Sequence, residues 1–187
     1  MTEPQIFEPE GRAIPFVVEG EGPVSLVLLP EGEIRADGLG VISHYLVEEA
    51  GFHVVLIGAR AASAGADEQV DDVVAVLDHL GLEHTWIGGH GAGGTVARAF
   101  AAAHPERSNG LLLLGVEETQ TPLTPLIPVL IIQGADDEIT LPANGDALQA
   151  TAPERASVKT LDGAGHSFPL THPIETAFII EEYLDWD

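Results

Sequence analysis

The run Trp86-Ile87-Gly88-Gly89-His90-Gly91-Ala92-Gly93-Gly94-Thr95 constrains this chain more than any other. An apolar, strand-like stretch passes straight into a small-residue helix through a turn dense in glycine. A turn that sharp holds its central residue in a backbone region that L side chains rarely adopt, and its neighbours must be small. The flanking sequence supplies the sheet and helices that such an elbow joins. Strands are expected over 13–18, 24–29, 53–57, 84–88, 110–115, 129–133 and 157–161. Helices are expected over 38–49, 67–80, 93–103, 141–150 and 173–184. Within the second helix Val70, Val73, Val74, Leu77 and Leu80 fall at helical spacing, with Gly81 as its C-cap. Short buried strands alternating with amphipathic helices predict an α/β fold, a mostly parallel central sheet with helices on both faces, in a single domain over 1–187. The segment 116–128 carries Pro122, Pro125 and Pro128 and is too short for a domain of its own, so a surface connection is expected there.

Composition narrows the possible partners. Of 187 residues, 45% are apolar, enough for a substantial core. Thirty acidic residues face seven basic ones, giving a net charge of -23, and Lys159 is the only lysine. Such a surface repels phosphate backbones and anionic headgroups, so neither nucleic acid nor membrane is expected as a partner. The absence of cysteine excludes disulfides and zinc-thiolate sites. The apolar runs 111–114 and 129–132 are too short to span a bilayer, and the acidic start Met1-Thr2-Glu3-Pro4 does not read as a signal peptide, so a cytoplasmic location is expected. His44, His53, His79, His84, His104 and His172 show no metal-ligand spacing. The glycine-rich turn matches neither a dinucleotide fingerprint nor a P-loop, and no metal or cofactor is expected.

Three stretches carry a resemblance to a known family. The elbow has the context of G-x-S-x-G, with Gly89 and Gly93 at the outer positions and Gly91 where serine belongs. Downstream, Pro128-Val129-Leu130-Ile131-Ile132-Gln133-Gly134-Ala135-Asp136-Asp137 is a strand leading to acids, and Gly163-Ala164-Gly165-His166 is a loop ending in histidine. In this order they resemble the α/β-hydrolase family. The resemblance implies that Asp137 is the acid, that His166 is the histidine of a residual acid–base pair, that Gly91 marks the nucleophile position, and that the amides of Gly32 and Ala92 are the oxyanion-hole candidates. It also implies a minimal scaffold without a cap domain.

The departures from the family bear on function. The third strand ends Leu28-Leu29-Pro30-Glu31-Gly32-Glu33 where His-Gly is common; proline offers no amide, and two carboxylates stand where negative charge would develop. Of the family's D-x-R-G-x-G-x-S stretch only Arg60 keeps its type within 58–65. The joint loss of nucleophile and oxyanion loop predicts a hydrolase-like protein without ordinary serine-hydrolase activity that binds a small ligand or a protein partner. The alternative is an esterase-like hydrolase, acting through a water activated by Asp137 and His166 or present in altered form, in which case Gly91→Ser alone restores activity. The lost hydroxymethyl group is expected to leave room for one water, about 30 Å³, facing His166. Ser63 and Ser167 are weak candidates for a replacement nucleophile. Asp137 is free to bind loop amides or to cap the helix near Leu141, with Asp136 a solvated neighbour, and the apolar stretch 123–130 is a candidate surface for a homodimer.

Overall fold

The computed structural model describes residues 3–34, 38–59 and 65–184. In chain order the strands are β1 (Gln5–Phe7), β2 (Ile14–Glu19), β3 (Ser25–Leu29), β4 (His53–Ile57), β5 (Thr85–His90), β6 (Ser108–Leu114), β7 (Val129–Gly134) and β8 (Ala156–Leu161). The α-helices are α1 (Leu39–Ala50), α2 (Ala66–Leu80), α3 (Ala92–Ala103), α4 (Pro142–Ala150), α5 (Phe168–Thr171) and α6 (Pro173–Leu184). The strands form one sheet in the order β1-β2-β4-β3-β5-β6-β7-β8. From β4 to β8 every pairing is parallel, and β1 and β2 add an antiparallel edge.

The central strands alternate their side chains between two layers, as a period of two dictates. Val27, Val55, Ile87, Leu111, Leu113 and Ile131 meet Val73, Leu77 and Phe100 from α2 and α3. Leu28, Val54, Leu112, Leu114, Leu130 and Ile132 meet Leu39, Ile42, Leu46 and Ile180 from α1 and α6. A parallel sheet covered on both faces needs strands that are apolar on both sides, and the near-continuous apolar runs of β6 and β7 supply them.

The expected elements are all present, with ends shifted by a residue or two. Among the described strands and α-helices two were not expected: β1, three residues paired to β2, and the four-residue α5. Neither is long enough to carry a hydrophobic period. The strand β5 runs on to His90, two residues past its expected end, because Gly88 and Gly89 stay in the ladder opposite Leu112 and Leu113. Gly81 does cap α2 in a left-handed conformation.

The connection between β6 and β7 holds no inserted domain. It is tied down from both sides: the Arg98 guanidinium donates to the carbonyls of Glu117 and Thr121, and Asn144 Nδ2 donates to the Val116 carbonyl at 2.9 Å. Leu123 and Ile127 of the apolar stretch are buried in the core, while Leu126 is 94% exposed. Most of the apolar character that suggested self-association is therefore used in packing.

The elbow is held by backbone proximity. A Cβ on Gly93 would collide with the Leu29 carbonyl at the end of β3. Gly93→Ala is expected to lower unfolding free energy by about 1–3 kcal/mol in urea titrations, the usual result of forcing atoms into a packed interior. Unchanged stability would show that α3 does not sit this close to β3.

Candidate active site

At the turn between β5 and α3, Gly91 has φ 54° and ψ -115°. Glycine holds this conformation without the strain another residue would carry, roughly 1–3 kcal/mol. Its amide still donates to the Leu114 carbonyl at 2.9 Å, which anchors the turn to β6.

The register of β3 against β5 determines what faces this turn. Leu29 pairs with Gly89, so the chain two residues beyond each brings Glu31 beside Gly91. A Cβ built on Gly91 would lie 2.5 Å from Glu31 Oε2 and 2.7 Å from its Cδ. The space expected to hold one water instead holds a carboxylate. The reason is steric: glycine at position 91 leaves a slot at the elbow, and the first long polar side chain after β3 fills it.

The acid and the histidine come together as their order along the chain implies. Asp137 lies in the loop after β7 and is only 2% exposed, while Asp136 is exposed. Asp137 Oδ1 accepts the amides of Ile139 and Thr140, each at 2.8 Å, and Oδ2 accepts the Thr140 hydroxyl at 2.5 Å. The carboxylate thus binds loop amides, and α4, whose N-cap is Leu141, has no side-chain cap. Burial pushes the Asp137 carboxyl upward, but the donors from Thr140, Ile139 and His166 outweigh it and hold the group below its ordinary value. The Asp136 amide donates to the Ala164 carbonyl at 2.9 Å and so joins the acid loop to the histidine loop.

His166 Nδ1 lies 3.1 Å from Asp137 Oδ2 and 3.0 Å from Thr140 Oγ1. Since the Thr140 hydroxyl proton goes to Asp137, Nδ1–H is the shared donor to both oxygens. This assignment turns Nε2 toward the elbow, where it meets Glu31 Oε1 at 2.5 Å. A proton between nitrogen and oxygen accounts for so close an approach. His90 stacks on His166 with ring centroids 4.7 Å apart. Its Nε2 donates to the His166 carbonyl at 2.8 Å, and its Nδ1 faces Glu31 Oε1 at 3.4 Å.

The remaining sequence candidates are placed less tellingly. Gly32 is exposed in the loop after β3, and Ala92 is exposed as the first residue of α3. Ser167 is exposed at the start of α5. Ser63 and Arg60 lie outside the described residues. Sequence reasoning named Glu31 only as a charge opposing an oxyanion, gave His90 no role in the site, and missed Thr140. What places Glu31 over the elbow is the register of β3 against β5, which the sequence does not give. Beside the acid loop, Thr95, Glu117, Ile139, Thr140, Leu141 and Asn144 line an open groove of about 460 Å³.

Residues 58–126 match the family model described as alpha/beta hydrolase fold. Two solved structures align over 98% of this chain and 98% of their own. One is MGS-MChE2, an alpha/beta hydrolase enzyme from a lagoon-sediment metagenome, with TM-score 0.82 and 19% identity. The other is a predicted CIB-like hydrolase from Thermoplasma acidophilum, with TM-score 0.84 and 14% identity. This is an α/β-hydrolase-fold protein. Among curated relatives, a 2-hydroxymuconate semialdehyde hydrolase of Pseudomonas sp. (strain CF600) is 40% identical over 63 residues, 34% of this chain. Epoxide hydrolase B of Mycobacterium tuberculosis (strain ATCC 25618 / H37Rv) is 36% identical over 77 residues, 36% of this chain. Each match spans 22% of the relative's length. No helix among the described residues is long and apolar enough to cross a membrane.

Asp137 receives four hydrogen-bond donors, and an amide in its place turns an NH₂ toward some of them. Asp137→Asn is therefore expected to cost roughly 1–3 kcal/mol of stability by chemical denaturation. An Asp136→Asn control should leave stability unchanged. Equal effects of the two substitutions would contradict the assignment of Asp137 as the buried acid.

Proposed function

We propose that this α/β-hydrolase-fold chain has left covalent serine-hydrolase chemistry and uses its elbow to bind a small neutral or cationic ligand. One observation carries the reading: the Glu31 carboxylate fills the nucleophile's space and is hydrogen-bonded to His166 Nε2. In a serine triad that nitrogen takes the hydroxyl proton during attack. Here it is engaged by an acid, and Asp137, His166 and Glu31 form a closed array. The same carboxylate opposes catalysis electrostatically. A tetrahedral intermediate develops negative charge beside the elbow, and a fixed carboxylate there raises its energy. The amides of Gly32 and Ala92, offered as an oxyanion hole, would have to overcome that repulsion. Anionic ligands are disfavoured for the same reason, with Glu117 beside the groove and a net charge of -23 adding to it.

A second reading keeps hydrolysis by a water that His166 activates. It draws on the hydrolase names of the curated relatives and on the partial exposure of the Glu31 side chain, 33%, which gives it a path out of the slot. Under that reading Glu31→Ala admits the water and raises ester turnover, and the added His166→Ala change abolishes the gain.

The main reading makes a sharper demand. Gly91→Ser alone should remain unreactive toward a fluorophosphonate probe, because the new side chain must displace Glu31. Gly91→Ser combined with Glu31→Gly should gain labelling at residue 91, read by mass spectrometry. Labelling of the single variant as strong as that of the double would refute the idea that Glu31 blocks the elbow. Labelling of the unsubstituted protein at any residue of the site would refute the loss of covalent chemistry.

A further inference from the structure

We propose that Glu31, His90 and His166 form a binding site for one first-row divalent transition ion, with zinc(II) and cobalt(II) the ions best matched to its donors. One ligand atom from each residue lies within 4.8 Å of the other two. Glu31 Oε1 is 2.5 Å from His166 Nε2 and 3.4 Å from His90 Nδ1. Zinc bonds of about 2.0–2.2 Å place neighbouring ligand atoms roughly 3.3 Å apart in a tetrahedron. Small side-chain adjustments reach that geometry, and the residue best able to make them is Glu31, since the side chains of His90 and His166 are only 2% and 12% exposed.

The orientation of the two imidazoles is the independent argument. A metal-binding histidine characteristically donates its second ring N–H to a carboxylate or a backbone carbonyl, which fixes the tautomer and aims the other nitrogen. Both histidines do so. His166 Nδ1–H is held by Asp137 and Thr140, which aims Nε2 at Glu31. His90 Nε2–H is held by the His166 carbonyl, which aims Nδ1 at the same oxygen. Two imidazole nitrogens and a carboxylate converge on one point, an arrangement that a cation between them, a proton or a metal ion, satisfies. Two imidazoles with one carboxylate favour a transition ion over magnesium or calcium, which prefer all-oxygen shells. The acidic field of the protein raises the local concentration of any cation. Three protein ligands leave a coordination position open for solvent or a small ligand. The site does not depend on whether serine chemistry has been lost, and its test reads metal binding alone.

The full-length protein, stripped with chelator and dialysed, is titrated with cobalt(II) and with zinc(II) in an excess of magnesium that occupies the acidic surface. One equivalent of either ion should bind, and cobalt should give visible bands of a four- or five-coordinate site. Glu31→Gln and His166→Gln should each weaken binding by more than about tenfold, and Asp137→Asn, which removes a holder of His166, by about 10–100-fold. Asp136→Asn, on the exposed neighbour, should bind like the unsubstituted protein. The variants spare the buried His90, and circular dichroism checks that each is folded. Absence of stoichiometric uptake, or unchanged affinity in folded Glu31→Gln protein, would overturn the proposal and identify the shared cation as a proton only.

Discussion

The backbone at Gly91, with φ 54° and ψ -115°, is the constraint on which the site depends. It lets β5 run into α3 without a loop, so that α3 begins directly above the sheet beside the ends of β3 and β6. Other features follow from that contact. Gly93 must be small because the Leu29 carbonyl lies against it. The end of β3 must pass over the elbow, because Leu29 is in register with Gly89. What comes next in the chain after Leu29 and Pro30 therefore decides what stands over the elbow. In this protein it is a glutamate. The glycine at the elbow and the glutamate above it belong to one geometry, with Gly91 relieving strain on one side and Glu31 filling the slot on the other.

The rest of the site is organised by charge compensation. A buried Asp137 is stable because four donors surround it, and one of them is His166. His166 in turn presents its other nitrogen to Glu31, and His90 supports the ring from the side. Removing a serine from an ordinary triad would leave the histidine nitrogen facing solvent. Here it faces an acid. An array with an acid at both ends of an imidazole favours positive charge between its members and stabilises a developing anion poorly. The short, pinned β6–β7 connection leaves the groove beside the acid loop open.

Much of this was legible in the sequence because it rests on local patterns. The strand-like runs 53–57 and 129–133 and the helix ending at Gly81 follow from hydrophobic period and cap chemistry. The pairing of Asp137 with His166, across 29 residues, was legible through the order of three motifs. Choosing Asp137 over Asp136 depended on motif position; in the fold Asp137 is the buried member of the pair and the one beside His166. The water expected above Gly91 was wrong because a deleted side chain invites any neighbour long enough to reach, and sequence alone does not give the register of β3 against β5. His90 and Thr140 were hidden for a related reason: their roles come from contacts with residues 76 and 26 positions away. The edge strand β1 was missed because three residues carry no period.

The most direct test of the central claim is the electron density above Gly91 in a crystal of the chelator-treated protein at neutral pH. The account predicts the Glu31 carboxylate in the slot, with one oxygen within hydrogen-bond distance of His166 Nε2 and no room for solvent between Gly91 and the imidazole. An ordered water in that slot, with Glu31 turned out into solvent, would contradict it and return the elbow to a site open for hydrolytic chemistry.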